Sequence, residues 1–273
     1  MSEIPAGEQA RYLYCVADSG RDAKLGHIGL EDDLVYCIPQ DQEGICAVVH
    51  DCSPEPYESG NQEVVKDWIR QHQRVLDGVR RDDIFSGLIP AGFDTIIKAK
   101  EGHTAPETVR QWLLENAKKL RRQLGQVKNK EEYGVQIFYE PDRLTDQLFR
   151  NSAEIKSLQN KIQSESEGAA YLYREKLNKL IKDKLETKKE SFIADFTKMI
   201  SPKVQDWTRE KKGSREERAD MLVNLCCLVE QGQHEELGAV LEEIDDREGF
   251  SVRFTGPWAP FSFTGLNCPD FED

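Results

Sequence analysis

Near the start of the chain an aromatic and β-branched run, Arg11-Tyr12-Leu13-Tyr14-Cys15-Val16-Ala17, stops at Asp18-Ser19-Gly20 and predicts a strand. Leu34-Val35-Tyr36-Cys37-Ile38, ended by Pro39, predicts a second. Ile45-Cys46-Ala47-Val48-Val49, ended by the loop from Asp51 to Pro56, predicts a third. The period then changes. Val64, Val65, Trp68, Ile69, His72, Val75, Leu76 and Val79 recur at three- and four-residue steps and lay one apolar stripe along a helix. Strand character returns from Ile84 to Ile97, around Gly87, Pro90 and Gly92. Thr104, with Glu107 three residues on, has the form of a capping box. Behind it Val109, Leu113, Leu114, Ala117, Leu120 and Leu124 mark a helix expected to stop at Gly125.

Tyr133 to Tyr139 opens a second unit with a strand ended by Pro141. Leu148, Ile155, Leu158, Ile162, Ala169 and Leu172 then follow a near-heptad grid, weakened by Ser164, Ser166 and Gly168. Leu177, Leu180, Ile181, Leu185, Phe192, Phe196, Met199 and Val204 continue it, with Pro202 as a kink. One helix from Ala169 to Thr208 would span about 60 Å, too long for a small sheet, which suggests a projecting coiled-coil arm. After the turn Lys211-Lys212-Gly213-Ser214, the run Met221 to Val229 reads as a strand buried on both faces. Leu237, Val240, Leu241 and Ile244 mark a short helix, and Phe250 to Phe254 a closing strand. The expected class is α+β. Residues 1–130 form an N-terminal domain, 131–256 a ferredoxin-like domain with long helices, and 257–273 an extended aromatic tail.

Composition narrows the partners. Fifty acidic against 37 basic residues leave a net charge of −13, which disfavours nucleic acid and anionic lipid membranes. No apolar run approaches a bilayer span, and Met1 to Glu8 does not resemble a secretory signal, so a cytoplasmic protein is expected. Seven cysteines without a Cys-x-x-Cys pair read as reduced thiols.

No phosphate-binding loop or zinc-protease helix occurs, and five histidines are scattered, so neither an enzyme nor a cofactor is expected. His72, beside the helical stripe, reads as structural. Cys46, His50 and Cys52 fall on one face of a strand and are suitable zinc ligands. Their spacing of about 7 Å makes joint coordination awkward, so they are assigned as structural residues and no metal site is expected. The basic stretch Arg174 to Lys189, with Glu175, Asp183 and Glu186 interleaved, reads as a solvated helix face; docking of an acidic partner is the rival reading.

In the tail, Phe254, Trp258, Phe261 and Phe263 lie on a backbone stiffened by Pro257 and Pro260. Two readings stand: the rings anchor a partner, or the tail folds back and fills a groove between its own domains.

Several segments together resemble the gas vesicle protein F/L family. They are Tyr12-Leu13-Tyr14, Ala47-Val48-Val49, His72 to Leu76, Leu88-Ile89-Pro90, Tyr133-Gly134-Val135, Gly168-Ala169-Ala170-Tyr171-Leu172 and the terminal Gly256-Pro257-Trp258-Ala259-Pro260-Phe261-Ser262-Phe263. Phe93-Asp94-Thr95 stands where that family has Phe-Gly-Thr. Ala91-Gly92 replaces its Met-Arg pair, so no role of that arginine carries over, and Cys15 replaces a first-strand glycine. The resemblance implies two α+β domains, the second ferredoxin-like. It implies a non-enzymatic accessory protein for building the gas-filled shell, with the small hydrophobic shell protein, and other accessory vesicle proteins, as partners. A minor structural component of the vesicle wall is the alternative.

Overall fold

The computed structural model describes residues 10–19, 21–100, 102–211 and 219–266. The described chain is α+β, with two sheets and two compact units. The first unit takes residues up to Glu132 and again from Pro257; the second runs from Tyr133 to Gly256.

In the first unit, β1 (Ala10–Ala17), β2 (Lys24–His27), β3 (Leu34–Gln40), β4 (Ile45–Cys52), β5 (Leu88–Pro90) and β6 (Ile96–Lys98) form one sheet. Its order is β2-β3-β4-β1-β5, and β6 also pairs with β1. Helices α1 (Gln62–Arg81) and α2 (Ala105–Val127) cover opposite faces. Val75, Leu76 and Val79 of α1 pack with Tyr12, Tyr14, Cys15 and Ala17, whereas Val109, Leu113 and Leu120 of α2 pack with Leu13 and Val16.

That division breaks strict alternation, and the pairing explains why. In β1 against β4, Leu13 lies opposite Val49 and Cys15 opposite Val48, so Tyr14 is an inserted residue. Such a bulge places Tyr14 and Cys15 on the same side and restores the period beyond them. With a helix on each face, every residue of β1 is buried. An aliphatic or aromatic side chain buried this fully stabilises by about 1.5–3 kcal/mol relative to exposure.

Local signals hold the helices in place. The Asn61 side chain accepts from Glu63 N at 3.0 Å. Thr104 N donates to the Glu107 carboxylate at 2.7 Å, completing the capping box and holding the Glu107 carboxyl below its usual range. The second helix runs past Gly125 to Val127, and Pro39 lies inside β3 rather than ending it. Pro39 pairs with Cys46 in register on β4.

The second unit is built from β7 (Lys130–Tyr139), α3 (Pro141–Asn151), α4 (Ala153–Ser164), α5 (Glu167–Ile200), β8 (Asp206–Arg209), β9 (Asp220–Glu230), α6 (His234–Asp245) and β10 (Phe250–Trp258). Its sheet order is β10-β7-β9-β8. Val135, Ile137, Leu225 and Val229 from the sheet meet Phe196, Ile200, Leu237, Leu241 and Ile244 from the helices.

Two expectations fail here. A helix reaching Thr208 is replaced by one ending at Ile200, a single 3-10 turn at Ser201–Lys203, and the strand β8. Pro202 lacks the N–H that would extend the ladder, and Trp207 and Thr208 suit a strand. The tail does not begin as irregular chain at Pro257, because β10 continues to Trp258. That strand is an edge of its sheet, where proline is tolerated. Part of the turn at Lys211 to Ser214 lies outside the described residues, as does Cys268.

Candidate functional site

The polar chemistry of the first unit is concentrated against one face of its sheet. Tyr12 and Tyr14 on β1 lie across from His50 on β4, and α1 brings His72 onto the same cluster. Leu30 N donates to Tyr14 Oη at 2.9 Å, so the Tyr14 proton is directed to His50 Nδ1 at 2.8 Å. His50 then carries its proton on Nε2, facing Tyr57 Oη at 3.0 Å. In the second pair Asp94 N donates to Tyr12 Oη at 3.1 Å, and Tyr12 donates to His72 Nδ1 at 2.8 Å.

Two backbone features make this possible. Asp94 has φ +66°, where Asp is tolerated better than most side chains, and its carboxylate accepts from Tyr57 N at 3.0 Å. A Cβ at Gly29 would lie 3.0 Å from Tyr14 Oη and 2.9 Å from Asp33 O, so only glycine lets the loop approach the hydroxyl.

Burial sets the protonation states. His50 is 0% exposed and His72 4%. Burial lowers both histidines to about 4 and pushes the Tyr12 and Tyr14 hydroxyls well above the usual phenol range. His72 Nε2 is buried without a hydrogen-bond partner among the described residues. A general base needs a pKa near the working pH and a path to substrate. These neutral, enclosed rings orient one another and fix the core instead.

Cys46, His50 and Cys52 do share a face of β4, but both ring nitrogens of His50 are directed at tyrosine hydroxyls. Burial pushes the Cys52 thiol up to about 12 and the Cys15 thiol well above its ordinary value. Among the described residues no three His, Cys, Asp or Glu side chains are placed to hold a metal ion.

The aromatic residues of the C-terminal segment are separated into different environments. Phe254 is half-buried in the second unit and stacks on Tyr133 at 5.2 Å. Residues 257–266 belong to the first unit, where Ala259 enters the core beside Tyr12 and Leu76. Ser262 N and Oγ each donate to the Glu132 carboxylate at 2.8 Å. Gln123 Nε2 donates to Gly265 O at 3.2 Å, and Leu266 packs against the α2 side of the sheet. Phe263 is half-buried, whereas Trp258 and Phe261 remain 42% and 41% exposed. This segment is a fastened strap with two accessible rings.

A second accessible surface lies on the helices of the second unit. The connection Glu165-Ser166 turns α4 back onto α5, and Lys184 Nζ meets Glu154 at 3.1 Å across the pair. From Leu185 onward α5 packs into the core through Phe192, Ile193, Phe196 and Ile200. Before that, only Ala170 is buried, while Tyr171 and Leu172 are each 61% exposed. The basic stretch divides in two. Lys189 pairs with Glu186 at 2.8 Å, and Lys188 lies 4.6 Å over the Phe192 ring. Arg174, Lys179 and Lys182 join no ion pair among the described residues. Sequence reasoning had no signal for the tyrosine–histidine pairs, whose members lie 36 and 60 residues apart.

A chain of two compact α+β units, each with its own sheet, is a fold already seen in gas vesicle proteins. The crystal structure of GvpF from Anabaena sp. PCC7120 superposes with a TM-score of 0.75 over 94% of this chain and 99% of that one, at 20% identity. GvpF from Microcystis aeruginosa gives 0.69 over the same shares at 18% identity. The model of the gas vesicle synthesis protein GvpL/GvpF family matches residues 10–265, and the chain belongs to that family. Gas vesicle protein L1 of Halobacterium salinarum is 29% identical over 262 residues, 93% of this chain and 89% of its own length. Gas vesicle protein L of Haloferax mediterranei is 28% identical over 241 residues, 86% and 72%. The family is one of gas vesicle accessory proteins and is not a known class of enzyme.

Proposed function

We propose that this chain acts in the cytoplasm, at the gas vesicle, as a non-enzymatic assembly protein that binds the small hydrophobic shell protein and aids its nucleation or delivery. The observation that carries the reading is the family match over residues 10–265, which includes both units. The physical case is that a shell subunit with an apolar gas-facing surface is an aggregation hazard until it enters the wall. A carrier for it needs cores satisfied from within and apolar side chains to spare on the outside. The first unit supplies the former through its tyrosine–histidine pairs. Trp258 and Phe261 supply the latter on the strap, with Phe254 and Phe263 as half-buried supports.

In this reading the two compact units are the two domains. The second is ferredoxin-like: its β-α-β-β-α-β succession, with three helices in the first crossover, and its sheet order β10-β7-β9-β8 support the assignment. The paired α4 and α5 are its helical arm. Other accessory vesicle proteins join as partners; nucleic acid and lipid do not, given the net charge of −13.

The test is co-expression of tagged full-length chain with the shell protein. The reading expects shell protein to stay soluble and to co-purify. Shell protein that precipitates equally with and without this chain overturns it. A permanent wall component, in contrast, would stay on purified vesicles through a denaturant wash, and that result would replace delivery with construction.

A further inference from the structure

The exposed part of α5 carries two features that its own fold does not use. Tyr171 and Leu172 are adjacent, on the side away from buried Ala170, and more exposed than any other large apolar side chain described. Below them the helix surface is basic. Between residues 173 and 182 stand Arg174, Lys176, Lys179 and Lys182 against Glu175 alone, all of them exposed, on a chain whose net charge is −13. Lys176 Nζ lies 5.8 Å over the Tyr173 ring, but Arg174, Lys179 and Lys182 are left without ion-pair partners among the described residues. Leu172, Lys176 and Lys179 follow the three- and four-residue steps that line one helix face.

An apolar pair beside unpaired cations is complementary to one kind of surface: an apolar stripe edged with carboxylates. It is a poor match for a purely apolar wall, which would leave the ammonium groups desolvated and unpaired. The lower half of α5 is anchored in the core through Phe196 and Ile200, so the upper half is held out on a rigid base. Such a base presents a docking face at low entropic cost.

We infer that the α5 face from Tyr171 to Lys182 is a second docking surface, distinct from the strap, for a partner segment whose apolar stripe is bordered by carboxylates. The inference rests on the reading above in taking that segment to belong to the shell protein. Tyr171 and Leu172 supply the apolar anchor; Lys179 and Lys182 pair with the bordering acids and set the orientation. Binding at this face therefore weakens with salt, unlike binding at the strap rings.

The experiment uses the full-length chain and co-expressed shell protein as the probe. Three variants are compared with wild type: Y171S with L172S, K179E with K182E, and W258S with F261S. Both arm variants are expected to lower captured shell protein by about tenfold or more at low salt. Wild-type capture should fall as salt is raised, and K179E with K182E should remove that dependence. All substituted side chains on the arm are exposed, so unfolding curves should match wild type. Capture by both arm variants at the wild-type level, with only the strap variant impaired, overturns the inference and leaves the functional reading intact. No capture by wild type overturns the reading and the inference with it. If the arm substitutions instead change the mass measured by light scattering for the chain alone, the face joins two copies of this chain and the assignment to shell protein is wrong.

Discussion

Strand β1 and the upper half of α5 solve opposite problems. Every side chain of β1 is enclosed by helices on both faces, and its tyrosine hydroxyls each have a donor and an acceptor inside the protein. The upper half of α5 buries only Ala170, packs on α4, and leaves Tyr171 and Leu172 in solvent. What happens at β1 is decided by the molecule's own interior. What happens at the arm is decided by whatever it meets. Substitutions should divide in the same way, into losses of stability and losses of binding.

The largest effect is expected where α5 leaves the arm and becomes core. Phe196→Ala, in a fully buried site against Phe192 and Phe250, should cost about 3–5 kcal/mol in a denaturant titration. A cost under about 1 kcal/mol would mean that the helix is not anchored there.

Acid comes next and acts on the β1 side. Folding holds His50 and His72 at about 4, against about 6.5 in an unfolded chain. Above pH ~6.5 both states are neutral and stability is flat. Between pH ~6.5 and about 4 the unfolded chain takes protons that the native one refuses, so stability falls as pH falls. Below about 4 the loss levels off. Each histidine contributes a loss on the order of 3 kcal/mol across the window. Urea unfolding at pH 7.5, 6 and 5 checks it. A profile flat to pH 5, above the usual carboxylate range, would show that the histidines are not enclosed.

Tyr14→Phe sharpens the same side. It leaves Leu30 N–H and His50 Nδ1 buried without their hydroxyl, at a cost of about 1–3 kcal/mol by thermal or denaturant unfolding. The smallest effect belongs to the arm. Leu172→Ser should change stability by no more than about 0.5 kcal/mol. A larger loss would make Leu172 part of the fold.

Much of the first unit was legible because its signals are local. Alternation and turn residues marked β1, β3 and β4; the apolar stripe marked α1; Thr104 and Glu107 marked the start of α2. Where local signals are weak, the reading failed. Strand β2 is short, edge-placed and contains Gly26, and β8 is four residues hidden at the end of a helical pattern. The bulge at Tyr14 depends on its register against β4, which no periodicity within β1 reveals.

The tyrosine–histidine pairs are long-range for the same reason. The Tyr14–His50 pair depends on the register of β1 against β4, and the Tyr12–His72 pair on where α1 lies over the sheet. Within the C-terminal segment, composition could not tell that Ala259 and Ser262 fasten the strap while Trp258 and Phe261 stay accessible. On the arm, the Gly168 to Leu172 segment was visible as a resemblance. That Tyr171 and Leu172 face solvent was visible only in the packing.

Hydrogen exchange of the full-length chain, with and without soluble shell protein, tests the division between interior and arm most directly. The account predicts that added shell protein slows exchange in residues 167–182 and leaves β1, already enclosed, unchanged. Shell protein that binds while residues 167–182 exchange as before would contradict it.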